Sequence, residues 1–155
     1  MQDYNKALNY AYLLLKYRPR ARREIIDRLS KKDFALSVID KVVSSLESYN
    51  YINDEEFSRM FVSSGRLKGW GRKKIDYALK KFGITEALRK EALKDKEIFR
   101  EDLKGLIKKK ISRYKQKKNA YQKIVRHFAA RGFDYRDIIK EIEESDLKRF
   151  DDYND

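Results

Sequence analysis

The stretch from Tyr51 to Ile84 sets a pattern that the rest of the chain repeats. It opens with Asn53-Asp54-Glu55-Glu56, an acidic group suited to a helix N-terminus, where carboxylates face the positive end of the macrodipole. Phe57, Met60 and Phe61 follow at helical spacing as far as Gly65; Lys68-Gly69-Trp70-Gly71-Arg72-Lys73-Lys74 then opens a second helix at about Arg72. Ile75, Ala78 and Leu79 carry that helix, Gly83 ends it, and a third begins after Thr85. Shifted by fifty residues toward the N-terminus or forty-nine toward the C-terminus, the pattern returns. Ile25, Ile75 and Ile124 align, as do Leu29, Leu79 and Phe128, and Phe34, Ile84 and Phe133. Asp33 and Gly132 stand where Gly83 does, and both residue types are acceptable in the left-handed conformation of a helix end. Self-similarity at this period indicates a tandem array whose units bury one another's apolar faces. The alternative is chance agreement among amphipathic helices, all of which place apolar residues every three or four positions.

Read in order, the chain predicts a first helix over 4–17, halted at Pro19 because the residue before a proline is pushed out of helical dihedrals. Arg18-Pro19-Arg20-Ala21-Arg22-Arg23 opens the second helix, and a third runs over 34–48 with Asn50 in the left-handed cap position. Residues 85–94 make the weakest helix, which either runs on or bends into a long one over 97–118; a helix over 119–131 and a last one capped by Asp134 follow. The expected fold is all-α: an elongated, curved tandem array of three three-helix, helix-turn-helix-like repeats, about nine helices in all. The repeats fall at 1–52, 53–95 and 96–150, with an acidic tail at 151–155.

The composition suits an array better than one compact core, since 41% of the residues are charged. With no cysteine there is neither a disulfide framework nor a thiolate zinc site, which fits a reducing cytoplasm. No apolar run approaches the roughly 20 residues that span a bilayer, and Met1-Gln2-Asp3 does not open a signal peptide, so a soluble cytoplasmic protein is expected.

The formal charge of +13 is concentrated: residues 64–118 hold 20 Lys or Arg against 7 Asp or Glu. Its counterpart is a polyanion or an acidic partner surface. Cations at a helix start oppose the macrodipole, so basic turns there favour a role outside the fold over a merely solvated helix end. That argument selects Arg18, Arg20, Arg22 and Arg23 in the first repeat and Lys68, Arg72, Lys73 and Lys74 in the second. Trp70 either stacks on a base or partner, or covers the joint between units. From the basic run over 108–118, a solvated face in part, Lys109, Arg113 and Lys117 complete the candidate interface. The tyrosines could serve single strands as stacking platforms, but at helical spacing most read as packing residues.

At the basic turns and the central motif the chain resembles the RecX family, bacterial regulators of the RecA recombinase. The first signature is Leu15-Lys16-Tyr17-Arg18-Pro19-Arg20-Ala21-Arg22-Arg23-Glu24-Ile25-Ile26-Asp27-Arg28-Leu29. The second joins Tyr51-Ile52-Asn53-Asp54-Glu55-Glu56-Phe57, the motif around Trp70, and Leu79 with Gly83-Ile84; Phe128-Ala129-Ala130-Arg131-Gly132-Phe133-Asp134 is similar to the turn before the family's last helix. Departures are Ala21 where a capping serine is common, Asn50 where glycine is frequent, and Trp70-Gly71-Arg72 where glycine followed by proline is frequent.

The resemblance implies a non-catalytic modulator that binds the RecA filament across more than one protomer. It would thereby restrain ATP hydrolysis, strand exchange and co-protease activity in DNA repair and the SOS response. The partners it implies are the filament and single- or double-stranded DNA, met directly or within it, by a monomer without a cofactor. A stand-alone, sequence-tolerant DNA-binding helix-turn-helix protein is the alternative, and a helical adaptor for an acidic protein a third. Catalysis has little to build on: His127 is the only histidine, and the glycines form no phosphate-cradling loop.

Overall fold

The computed structural model describes residues 2–114 and 119–145, and these are helical with no strand. In chain order the helices are α1 (Gln2–Tyr17), α2 (Arg22–Ser30), α3 (Leu36–Ser48), α4 (Asp54–Leu67), α5 (Arg72–Lys81), α6 (Glu86–Ala92), α7 (Lys96–Tyr114), α8 (Ala120–Ala130) and α9 (Tyr135–Glu143).

The repetition is visible in how helices end. Asp33, Gly83 and Gly132 adopt φ of 60°, 77° and 86°. In each case the next N–H reaches back over the turn, from Phe34 to the Leu29 carbonyl, Ile84 to Leu79 and Phe133 to Phe128, at 3.4, 3.2 and 3.2 Å. This is the Schellman pattern, in which a left-handed residue lets the chain satisfy carbonyls that the helix leaves open. Asn50, at φ 57°, takes the left-handed position expected of it. Ile25, Ile75, Ile124, Leu29, Leu79 and Phe128 are all buried, so residues aligned by the repeat occupy equivalent places in their cores.

Helix α1 starts at Gln2 and not at Tyr4, and two other boundaries differ from expectation. The third helix starts at Leu36, because the left-handed turn at Asp33 and the bond back from Phe34 place 33–35 outside it. Residues 85–94 neither run on nor fuse with α7. Helix α6 stops at Ala92, and Asp95 starts α7 afresh by accepting the Ile98 N–H at 3.2 Å. The end of the helix expected over 97–118, the tail at 151–155 and Lys117 lie outside the described residues.

The chain divides into two compact units, Met1–Met60 with Leu79–Ala92, and Phe61–Ala78 with Leu93–Asp155. In the first, α1, α2 and α3 enclose Ala7, Ala11, Ile25, Leu29, Ile39, Val42, Val43 and Leu46. The small residues on α1 let its backbone approach its neighbours closely. In the second, α7, α8 and α9 enclose Leu103, Ile107, Ile111, Ile124, Phe128, Ile138 and Ile142. Arg66 of α4 adds a two-pronged bond to Asp102 of α7, Nε to Oδ2 at 2.7 Å and Nη2 to Oδ1 at 3.2 Å. That hydrogen bond raises the arginine pKa above its ordinary value.

The second unit also contains a backbone-to-backbone joint. The N–H groups of Gly71 and Lys73 donate to the carbonyls of Arg131 and Gly132 at 2.7 and 3.0 Å, supplying acceptors that the first turn of α5 lacks. A Cβ on Gly71 would lie 2.3 Å from the Gly132 carbonyl carbon, and one on Gly132 2.4 Å from the Lys74 nitrogen. Gly105, on α7, has nothing within 4 Å of such a Cβ. In urea unfolding, Gly71→Ala and Gly132→Ala should each cost about 3 kcal/mol, the upper range of overpacking. Gly105→Ala should stabilise by about 0.5–1 kcal/mol, because it removes only the entropy that an interior glycine gives the unfolded chain.

Candidate interface for an anionic partner

Helix α1 ends before Pro19, and the four arginines of the turn that follows all engage carboxylates of the first unit. Arg18 reaches forward to Glu24, Nη2 to Oε1 at 2.6 Å, and Arg20 Nη1 meets the same oxygen at 3.3 Å. Glu24 Oε2 also accepts the Ala21 N–H at 3.2 Å. This is the reciprocal half of a capping box, and it serves a helix start whose cap residue is an alanine. The side chain of Arg20 is only 12% exposed, and its buried Nε has no partner among the described residues.

The other two arginines of the turn are, like Arg18, far more exposed than Arg20. Arg22 donates its backbone N–H to Asp54 Oδ1 at 2.8 Å and its Nε to Glu47 at 2.9 Å. Arg23 pairs with Asp27 at 3.2 Å, and its stem lies where a side chain on Gly83 would be. Exposed pairs of this kind are worth about 1 kcal/mol or less, so Arg22 and Arg23 can exchange partners; Arg20 is held in the fold.

In the second unit, Trp70 sits in the turn between α4 and α5. Lys74 Nζ lies 4.8 Å and Lys68 Nζ 5.4 Å from its ring centroid, and Phe61 is tilted against it at 6.3 Å. The ring is half-buried. Beneath the turn, Arg131 Nη1 donates to the Lys68 and Gly69 carbonyls at 2.8 and 3.4 Å. Arg72 donates Nε to the Leu93 carbonyl at 3.0 Å, and Lys73 pairs with Asp134 at 2.9 Å. Lys109 and Arg113, one helical turn apart on α7, are exposed and make no ion pair with a described residue.

Arg72 and Lys73 line a cavity of about 350 Å³ together with Lys96 and Arg100 of α7 and Arg136 of α9, above Phe99, Leu103 and Phe133. Lys96, Arg100 and Arg136 lie outside the two basic turns that stand out in the sequence. Lys96 and Arg136 nevertheless share their signal, since both stand in first helical turns, where cations are disfavoured. Their convergence with Arg72 required the packing of α5, α7 and α9.

Two carboxyls here sit below their ordinary pKa. Burial opposes charge on Glu24, but the hydrogen bonds from Arg18, Ala21 and Arg20 outweigh it. Asp134 is lowered by the Lys73 hydrogen bond first and then by the Arg136 N–H. His127 is lowered by burial and by the charges of Lys110 and Arg131, and its ring packs edge-on against Phe128 at 4.9 Å, which makes it a packing residue. Among the described residues there is no group of three or more His, Cys, Asp or Glu placed to hold a metal, and no helix long and apolar enough to cross a membrane.

The described residues therefore form an all-helical repeat protein with cationic helix starts, the kind of surface that meets anionic partners. Family patterns sharpen this: "RecX, first three-helix domain" matches residues 7–46 and "RecX, second three-helix domain" matches 53–93. The regulatory protein RecX of Clostridioides difficile is 34% identical over 97% of this chain and 72% of its own length. That of Prosthecochloris aestuarii is 31% identical over 92% and 95%. The crystal structure of RecX from Lactobacillus salivarius superposes with a TM-score of 0.83 at 28% identity, covering 94% of this chain and 98% of that one. The chain belongs to the RecX family of regulatory proteins.

A carboxyl whose folded pKa is depressed stabilises above the ordinary carboxylate range, and that contribution is lost as pH falls through the lowered value. Glu24→Gln should therefore lower stability at neutral pH by about 1 kcal/mol, the worth of a hydrogen-bonded group. The gap between parent and variant should close as pH falls below the ordinary carboxylate range and through the lowered value, which thermal melts across a pH series would show.

Proposed function

We propose that the chain binds the RecA nucleoprotein filament and inhibits its ATP hydrolysis, strand exchange and co-protease activity, as a regulator in DNA repair and the SOS response. The observation that carries this reading is its similarity, over nearly its whole length, to proteins named regulatory protein RecX. Charge supports it. The central excess of cations, and exposed groups such as Lys68, Lys109 and Arg113, suit a partner coated with phosphate. Repeated helical units offer several weak contacts on one chain, and linked contacts gain affinity through effective concentration.

Within this reading, Arg22, Arg23, Lys68, Trp70, Lys74, Lys109 and Arg113 are the residues presented to the partner, and Lys117, outside the described residues, is a further candidate by sequence. Arg18 and Arg20 support α2, and their removal would disturb the fold before it tested the interface. ATP hydrolysis by RecA filaments on single-stranded DNA, measured with and without the chain, tests the proposal directly. Naked duplex that competes equally with filaments at physiological salt would instead favour the stand-alone DNA binder.

Lys109→Glu with Arg113→Glu should weaken filament binding without loss of helicity. The slope of log affinity against log salt should fall by about one per cation that meets a phosphate. An unchanged slope would remove these two from the interface.

A further inference from the structure

The cavity bounded by α5, α7 and α9 gathers more positive charge than the fold can use. Arg72, Lys73, Lys96, Arg100 and Arg136 face it with only two carboxylates, Asp134 and Asp137. Both carboxylates are already taken, Asp134 by Lys73 at 2.9 Å and Asp137 by Arg100 at 3.3 Å. The side chains of Lys96 and Arg136 make no hydrogen bond or ion pair with a described residue, although the Arg136 charge helps to lower the Asp134 pKa. Both stand in the first turn of a helix, where the macrodipole adds to their mutual repulsion.

Repulsion among these cations is relieved by an anion with several acceptor oxygens. A carboxylate offers one charge and two oxygens, whereas a phosphate offers oxygens enough for Lys96, Arg136 and the terminal nitrogens of Arg72 together. The cavity has room for it, since a water occupies roughly 30 Å³. The floor of Phe99, Leu103 and Phe133, each at most 5% exposed, keeps water from screening the charges from below.

We propose that this cavity seats a phosphate group, with Lys96 and Arg136 as its direct ligands and Arg72 and Lys73 completing the positive wall. The filament-binding reading makes a nucleic-acid strand one source of that phosphate, and the inference rests on that reading to this extent only; a free phosphate compound is the other source.

The test is a titration of the isotopically labelled full chain with inorganic pyrophosphate and, separately, with an oligothymidine strand, followed through backbone amide shifts. The amides of Lys73, Lys96 and Arg136 should move. Movement with the strand alone assigns the seat to a phosphodiester, and movement with pyrophosphate alone assigns it to a free anion. Lys96→Gln with Arg136→Gln should weaken binding by about tenfold per lost contact. In phosphate-free buffer the same variant should melt at or above the parent's temperature, because it relieves repulsion; a purely structural role would lower the melt.

Amides that stay still with both probes, a variant that binds like the parent, or a variant that melts lower would each overturn the seat. Filament inhibition reads out separately. A parent that inhibits RecA-dependent ATP hydrolysis yet shows no amide shift sinks the seat and leaves the proposed function standing, and the reverse result does the opposite.

Discussion

The first N–H groups of α5 have no acceptors in their own helix, and the carbonyls of Arg131 and Gly132 provide them. Much of the second unit follows from this. The two backbones can approach only because Gly71 and Gly132 carry no side chain at the contact. The chain must turn sharply at Gly132, which is left-handed, before α9 can begin. Arg131, held at the same joint, returns two hydrogen bonds to the carbonyls at the end of α4. The caps of α5 at this joint are backbone carbonyls, and of the cations in its first turn Lys73 is offset by Asp134.

The first unit meets the same requirement with charge. Helix α2 receives its caps from Glu24 and Asp54, and the arginines of its turn are drawn onto Glu24, Glu47 and Asp27. Two turns that look alike as strings of cations thus differ in electrostatic character. One is balanced locally by acidic neighbours, while the other keeps a surplus around a cavity. Conventional capping would have Ala21 carry a hydroxyl, but that residue is fully buried and its N–H is satisfied by Glu24, so the substitution is compensated from three residues downstream.

Membership of the RecX family accords with this architecture, since the two family patterns cover most of the residues that build α1 to α6. Trp70 illustrates how a conspicuous residue can serve two ends. It packs against Phe61 within its own unit, and it holds two lysines over its ring within the range of a cation–π attraction.

Local chemistry was legible in the sequence because it depends on near neighbours. Helix periodicity, the break at Pro19, the left-handed positions at Asp33, Asn50, Gly83 and Gly132, and the threefold alignment of buried residues all follow from side-chain spacing and backbone sterics. Partner choice was not legible. Whether a cation is spent on a carboxylate or left open depends on groups brought together across many residues, as Arg66 with Asp102 or Arg22 with Glu47. The sequence by itself determined where the helices lie and that positive charge gathers at their starts. Tertiary structure alone decided that Arg66 meets Asp102 while Lys96 and Arg136 are left beside Arg72, because charge compensation falls off with distance in space and not with separation along the chain.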